Sequence, residues 1–115
     1  MANRIIKLYK NYFSEFYLNQ PENVRRKINF CLDIVRLEDR ISQKFLRNIN
    51  GVDGLFEIRV EYGGNIYRIF CCFDKGALVI LFNAFQKKTM KTPKKEILIA
   101  KQLMEEYFNE KKDDE

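Results

Sequence analysis

The chain has no histidine and no tryptophan, few prolines and glycines, and only three cysteines, none of them in a CxxC spacing. Without histidine there is neither the commonest zinc ligand nor the side chain that most readily exchanges protons near neutral pH. The odd cysteine count, Cys31, Cys71 and Cys72, argues against a disulfide scaffold as well as a metal site. Cys71 and Cys72 are neighbours in an apparent strand, so they should point to opposite faces and behave as small apolar groups. No apolar run approaches the roughly eighteen residues of a membrane span. The opening Met1-Ala2-Asn3-Arg4-Ile5-Ile6 shows no long apolar segment and no small-residue cleavage site. The expectation is a cytoplasmic protein without membrane association.

What is present is one domain's worth of core: 115 residues, 46% of them hydrophobic. The net charge is +5, and acidic residues crowd the end at Asp113-Asp114-Glu115, so the body is more basic than the total. A polyanion or an acidic protein is the expected partner. Residues 1–110 read as a single domain and 111–115 as a charged tail, with fraying expected from about Asn109.

The pattern along the chain suggests β-α-α-β-β-β-α. A short strand near 5–8 precedes Tyr9, Tyr12, Phe13, Phe16 and Tyr17, whose spacing places five aromatics on one side of a short helix. Gln20-Pro21-Glu22 reads as a helix start, and Val24, Ile28, Cys31, Leu32 and Val35 continue the helical period to about Glu38. These two segments form a helical hairpin. Ile41, Phe45 and Ile49 then recur at spacing four, which suggests a helical turn before Asn50-Gly51-Val52-Asp53-Gly54 breaks the chain. From Leu55 the period becomes two, and strands over 55–62, 65–73 and 77–85 form an antiparallel meander. Thr92 is placed to cap a final helix with Pro93 at its first position; Ile97, Ala100, Met104, Tyr107 and Phe108 give its apolar face.

A two-residue turn at Gly63-Gly64 makes Tyr62 face Asn65. One face then carries Phe56, Ile58, Val60 and Tyr62 against Cys71, Ile69, Tyr67 and Asn65, fit for the helices to cover. On the other face Arg59 lies opposite Arg68. Like charges across a strand pair are destabilising, so the two arginines need either neutralising carboxylates, for which Glu57 and Glu61 are placed, or an anion. A two-residue turn at Lys75-Gly76 would put Asn83 beside Arg68, making a row across three strands. A three-residue loop with a glycine bulge would break that row.

Directly after the third strand, Gln86-Lys87-Lys88-Thr89-Met90-Lys91-Thr92-Pro93-Lys94-Lys95 brings five lysines to a helix N-terminus, a combination suited to phosphate. The same run also reads as a solubilising surface loop.

Three pieces of sequence together carry a family resemblance. They are Gly54-Leu55-Phe56-Glu57-Ile58-Arg59-Val60-Glu61-Tyr62, then Ile66-Tyr67-Arg68, then Phe85-Gln86-Lys87-Lys88-Thr89-Met90-Lys91-Thr92-Pro93 with Glu96-Ile97 and Ala100. In order and spacing they resemble the HigB-like, phage-derived branch of the RelE/ParE toxin superfamily. The resemblance implies an α+β, RelE-like fold, a helical hairpin on a small, mostly antiparallel sheet with a concave positive face. It implies a type II toxin that cleaves messenger RNA on the ribosome, with no metal or small-molecule cofactor, silenced by a cognate helix-turn-helix, HigA-like antitoxin.

The implied chemistry is attack of a ribose 2′-hydroxyl on the adjacent phosphate, which needs a base, cations for the phosphorane and an acid for the leaving oxygen. By position, Arg68 matches the superfamily's phosphate-contacting arginine, Arg59 a basic position one strand earlier and Lys88 one just past the last strand. Lys91 joins them as a catalytic candidate, with Lys87, Asn83, Thr89, Lys94 and Lys95 expected to bind RNA. Relatives place their base near the final helix, where Lys87, Lys91 and Lys94 are the candidates, and none is singled out. Two other readings stand beside this one: a ParE-like inhibitor of DNA gyrase without nuclease activity, and an inactive prophage-derived RNA-binding module.

Overall fold

Alternating and β-branched residues in the second half of the chain build a sheet that helices cover from both sides. The computed structural model describes residues 2–114. Its elements are β1 (Ile5–Leu8), α1 (Tyr12–Leu18), α2 (Glu22–Leu37), β2 (Leu46–Asn48), β3 (Phe56–Tyr62), β4 (Asn65–Asp74), β5 (Leu78–Lys87) and α3 (Lys94–Asp113). The strand order is β1-β5-β4-β3-β2, with β1 parallel to β5 and the other pairs antiparallel. This is the expected α+β arrangement, with one strand more.

On one face the helical hairpin buries Phe13, Val24, Ile28, Cys31 and Val35 against Ile58, Val60, Tyr67, Ile69, Cys71, Val79 and Leu81. The α2 members recur at spacings of three and four, which makes a single apolar stripe. On the other face α3 lays Ala100, Leu103 and Tyr107 over Leu55, Phe70, Cys72, Ile80, Phe82 and Phe85. Cys71 and Cys72 therefore enter different cores, as their adjacency in a strand requires. Both are buried, and burial pushes the Cys72 thiol up to about 12, far from the thiolate that reactivity needs.

Four expectations are corrected. The segment around Phe45 contains one turn, with Phe45 and Leu46 N–H groups donating to Ser42 O, and then straightens into β2 rather than a helical turn. Pairing with β3 overrides the local spacing, and residues as few as Leu46, Arg47 and Asn48 suffice because the sheet edge supplies their partners. The aromatic stripe divides, since Lys10 at φ 59° reverses the chain before α1. Phe13, Phe16 and Tyr17 then join the hairpin core, Tyr9 joins the α3 core, and Tyr12 is exposed. Thr92 does not cap α3: Pro93 is the boundary residue, and its carbonyl accepts from Glu96 N and Ile97 N.

The fourth correction concerns the tail. The helix continues through Asp113 instead of fraying from Asn109, because its last turns are anchored to the sheet. Lys111 Nζ donates to both Asp74 oxygens at 2.7 Å, and Tyr107 Oη donates to Asp74 Oδ2 at 2.7 Å. Tyr9 Oη adds a 2.7 Å bond to Glu110. Glu115 lies outside the described residues. Lys111 and Tyr107 hold the Asp74 carboxyl below its ordinary range. Stability from this cluster is accordingly present above about pH 4, the unfolded value, and is lost as pH falls through the lower folded value. Asp74→Asn is expected to cost about 1.5–3 kcal/mol at pH 7, with the gap to wild type shrinking near pH 3. Urea unfolding at the two pH values checks this.

Candidate functional site

The β3–β4 hairpin closes through Gly63 and Gly64, both at positive φ, and its register pairs Tyr62 with Asn65 and Arg59 with Arg68. The two arginines thus face the α3 side together. What keeps them there is Glu57, whose Oε2 lies 2.9 Å from Arg68 Nε and 3.7 Å from Arg59 Nη1. Glu61, the other expected neutraliser, is exposed and joins neither ion pair.

The two arginines differ sharply in access. Arg68 is 2% exposed, donates from Nη1 to Tyr67 O, and makes the Glu57 contact as an ion pair without hydrogen-bond alignment at Nε. Burial and the facing Arg59 lower its pKa. The Arg59 side chain, 20% exposed, reaches the surface.

The second hairpin breaks the expected row. Its loop pairs Asp74 with Leu78, one residue longer than a two-residue turn, and a bulge between Ile69 and Cys71 shifts the register again. Arg68 therefore faces Phe85, not Asn83. Asn83 is buried, and its Nδ2 donates to Glu96 O at 3.0 Å and Glu96 Oε1 at 3.1 Å, fastening β5 to the first turn of α3. It is a helix anchor, and its buried position takes it out of the expected RNA-binding set.

Above this hairpin lies an open groove of about 540 Å³, lined by Arg47, Asn48, Ile49, Asn50, Glu57, Arg59, Lys87, Met90, Lys91, Thr92 and Ile97. Its wall carries the cations Arg47, Arg59, Lys87 and Lys91 against the single carboxylate Glu57. Three of the expected site residues, Arg59, Lys87 and Lys91, come together here. Arg68 lies beneath, bound to Glu57. Lys88, Thr89, Lys94 and Lys95 are exposed and off the wall. Thr89 acts on the loop itself, since its hydroxyl donates to Lys91 O at 2.7 Å and so shapes the segment that carries Lys91.

Arg47 is the groove cation that sequence reasoning missed. It stands on β2 directly opposite Glu57, and reading its segment as a helical turn hid that placement. Among the described residues no group of cysteines and carboxylates is arranged to hold a metal ion. No helix of the described chain is long and apolar enough to cross a membrane.

Residues 15–105 match the family described as phage-derived protein Gp49-like. The chain belongs to that family. The match spans most of the helical hairpin, strands β2 to β5 and more than half of α3, and so includes every residue of the groove wall. The Gp49-like chain shares its fold with a chain of the crystal structure of the archaeal RelE–RelB complex from Pyrococcus horikoshii OT3. The TM-score is 0.56 at 20% identity, covering 76% of the Gp49-like chain and 98% of the archaeal one. At that identity the likeness is one of fold, and it bears out the RelE-like architecture expected from the sequence. No curated protein sequence matches the Gp49-like chain.

Proposed function

We propose that this protein is the toxin of a type II toxin–antitoxin pair and cleaves messenger RNA on the ribosome by attack of a ribose 2′-hydroxyl on the neighbouring phosphate. The observation that carries the proposal is the groove wall, where cations from β2, β3, β5 and the loop before α3 converge around one carboxylate. Family membership and the RelE-like fold support it.

In this reading Arg59, Lys87 and Lys91 surround the scissile phosphate and meet the extra negative charge of the phosphorane, while Arg47 holds a flanking phosphate. Glu57 is the one carboxylate on the wall and accepts the hydroxyl proton; Lys91 supplies a proton to the leaving 5′-oxygen. Arg68 is a positioning residue, too buried to touch RNA, which orients Glu57 from below. Lys88, Lys94 and Lys95 contribute to the field that draws RNA in, and removing any one of them is expected to change association at low salt more than cleavage. The proposed partner is a small helix-turn-helix antitoxin encoded beside the toxin.

The test is to induce the protein in bacterial cells and map the 5′ ends of messenger RNA during growth arrest. New ends within translated codons, absent on induction of Arg59→Ala or Lys91→Ala, are the expected result. Growth arrest with intact transcripts and an induced DNA-damage response would overturn the proposal in favour of gyrase inhibition.

A further inference from the structure

Arg59 also borders a second recess. Strand β2 pairs with β3 as far as Ile58, and the Arg59 N–H still donates to Phe45 O at 2.8 Å, so the recess begins where that pairing ends. The gap is about 200 Å³, lined by Lys27, Cys31, Lys44, Phe45, Arg59 and Glu61. Its charged side chains are three cations and one carboxylate, and the fully buried Cys31 belongs to its floor.

Phe45 lines the recess, and Phe30 packs against it from outside the lining. The rings of Phe45 and Phe30 meet edge to face at 6.3 Å, with Lys44 Nζ 5.6 Å from the Phe45 centroid and Lys27 Nζ 4.9 Å from that of Phe30. The buried stripe of α2 is Val24, Ile28, Cys31 and Val35, and Phe30, 49% exposed, lies off it. An exposed ring interleaved with ammonium groups is the arrangement that binds single-stranded RNA, where the ring stacks a base and the cations follow the backbone. Lysine ammoniums sit on flexible stems, so they can move from the rings to a phosphate when a base arrives.

We infer that this recess is a second nucleotide subsite, in which a base flanking the scissile step stacks on the Phe30–Phe45 pair and its phosphate is held by Lys27 and Lys44. The inference rests on the RNA reading of the main groove. Arg59 is the residue that the two recesses share. A substrate long enough to occupy both should bind tighter than one confined to the groove.

Fluorescence anisotropy with fluorescein-labelled oligoribonucleotides, 2′-O-methylated throughout to prevent cleavage, tests this. Two lengths are compared, about three and about seven nucleotides. The wild type is expected to bind the longer about tenfold tighter, the scale of one stacked base. Phe30→Ala and Lys44→Glu, both at exposed positions, should reduce that gap to about twofold while keeping the wild-type melting temperature and the affinity for the shorter oligonucleotide. Lys91→Ala, which touches the groove alone, should weaken both lengths alike. Equal affinity for the two lengths in the wild type, or a gap unchanged in both variants as it would be if the patch served a protein partner, overturns the subsite and leaves the groove intact. Binding of neither length also overturns the subsite, while the cleavage reading of the groove stands or falls on the mapping of 5′ ends.

Discussion

Glu57→Ala is expected to lower stability by about 3–5 kcal/mol, because it leaves the buried Arg68 guanidinium without its counter-charge. Arg68 is 2% exposed and Glu57 7%, so water cannot take the place of the lost partner. Against a total of about 5–15 kcal/mol for a domain of this size, such a loss is severe. Thermal unfolding followed by circular dichroism should show the midpoint falling by at least about 10 °C. The double variant Glu57→Leu/Arg68→Met, which removes both charges, should recover to within about 1 kcal/mol of wild type or exceed it, yet remain unable to cleave RNA. A double variant as unstable as the single one would contradict this account of the pair. Recovery in the double variant without cleavage would assign the buried ion pair to the site rather than to the fold.

Arg59→Ala and Lys91→Ala are expected to act in the opposite way. Each removes a cation from the groove wall without exposing a buried partner, so the melting temperature should move by only a few degrees. Loss of one group that meets developing charge in the transition state typically costs about 10²–10³ in rate, and each variant should lose cleavage on that scale in a single-turnover assay. Arg59→Lys should recover only part of the loss, since an ammonium keeps the charge but not the planar fork that reaches Glu57 and, in the proposed complex, a phosphate. A larger loss in Lys88→Ala than in Lys91→Ala would contradict the placement of these two residues, because Lys88 is off the wall and Lys91 on it.

Some of this was legible in the chain and some was not, for reasons that lie in particular residues. The first hairpin could be read because Gly63-Gly64 admits a two-residue turn and because a one-residue slip would exchange an apolar face for a charged one. Its pairing of Arg59 with Arg68 followed directly. The second hairpin could not, since Asp74-Lys75-Gly76 is compatible with more than one loop length, and the bulge at Ile69/Cys71 has no turn residue to announce it. That shift is what moved Asn83 from the candidate RNA contacts to the anchor of α3. Strand β2 was hidden for a different reason: a three-residue edge strand has no period of its own, and Arg47 went unseen with it. Nor could periodicity show that Arg68 is buried beside Glu57, only 2% exposed. Lys111 likewise looked like part of a solvated tail until Asp74, distant in sequence, was found to bind it.

In the proposed reaction the groove makes a 2′-hydroxyl attack its own phosphate. The most direct measurement uses purified translating ribosomes programmed with a short synthetic messenger RNA, all-ribose in one sample and carrying a single 2′-deoxy substitution at the scissile nucleotide in the other. The expected result is a single cut in the all-ribose message with a 2′,3′-cyclic phosphate on the upstream fragment, and an intact deoxy-substituted message. Equal cutting of both messages, or cutting of neither by a protein that still arrests growth, would contradict it.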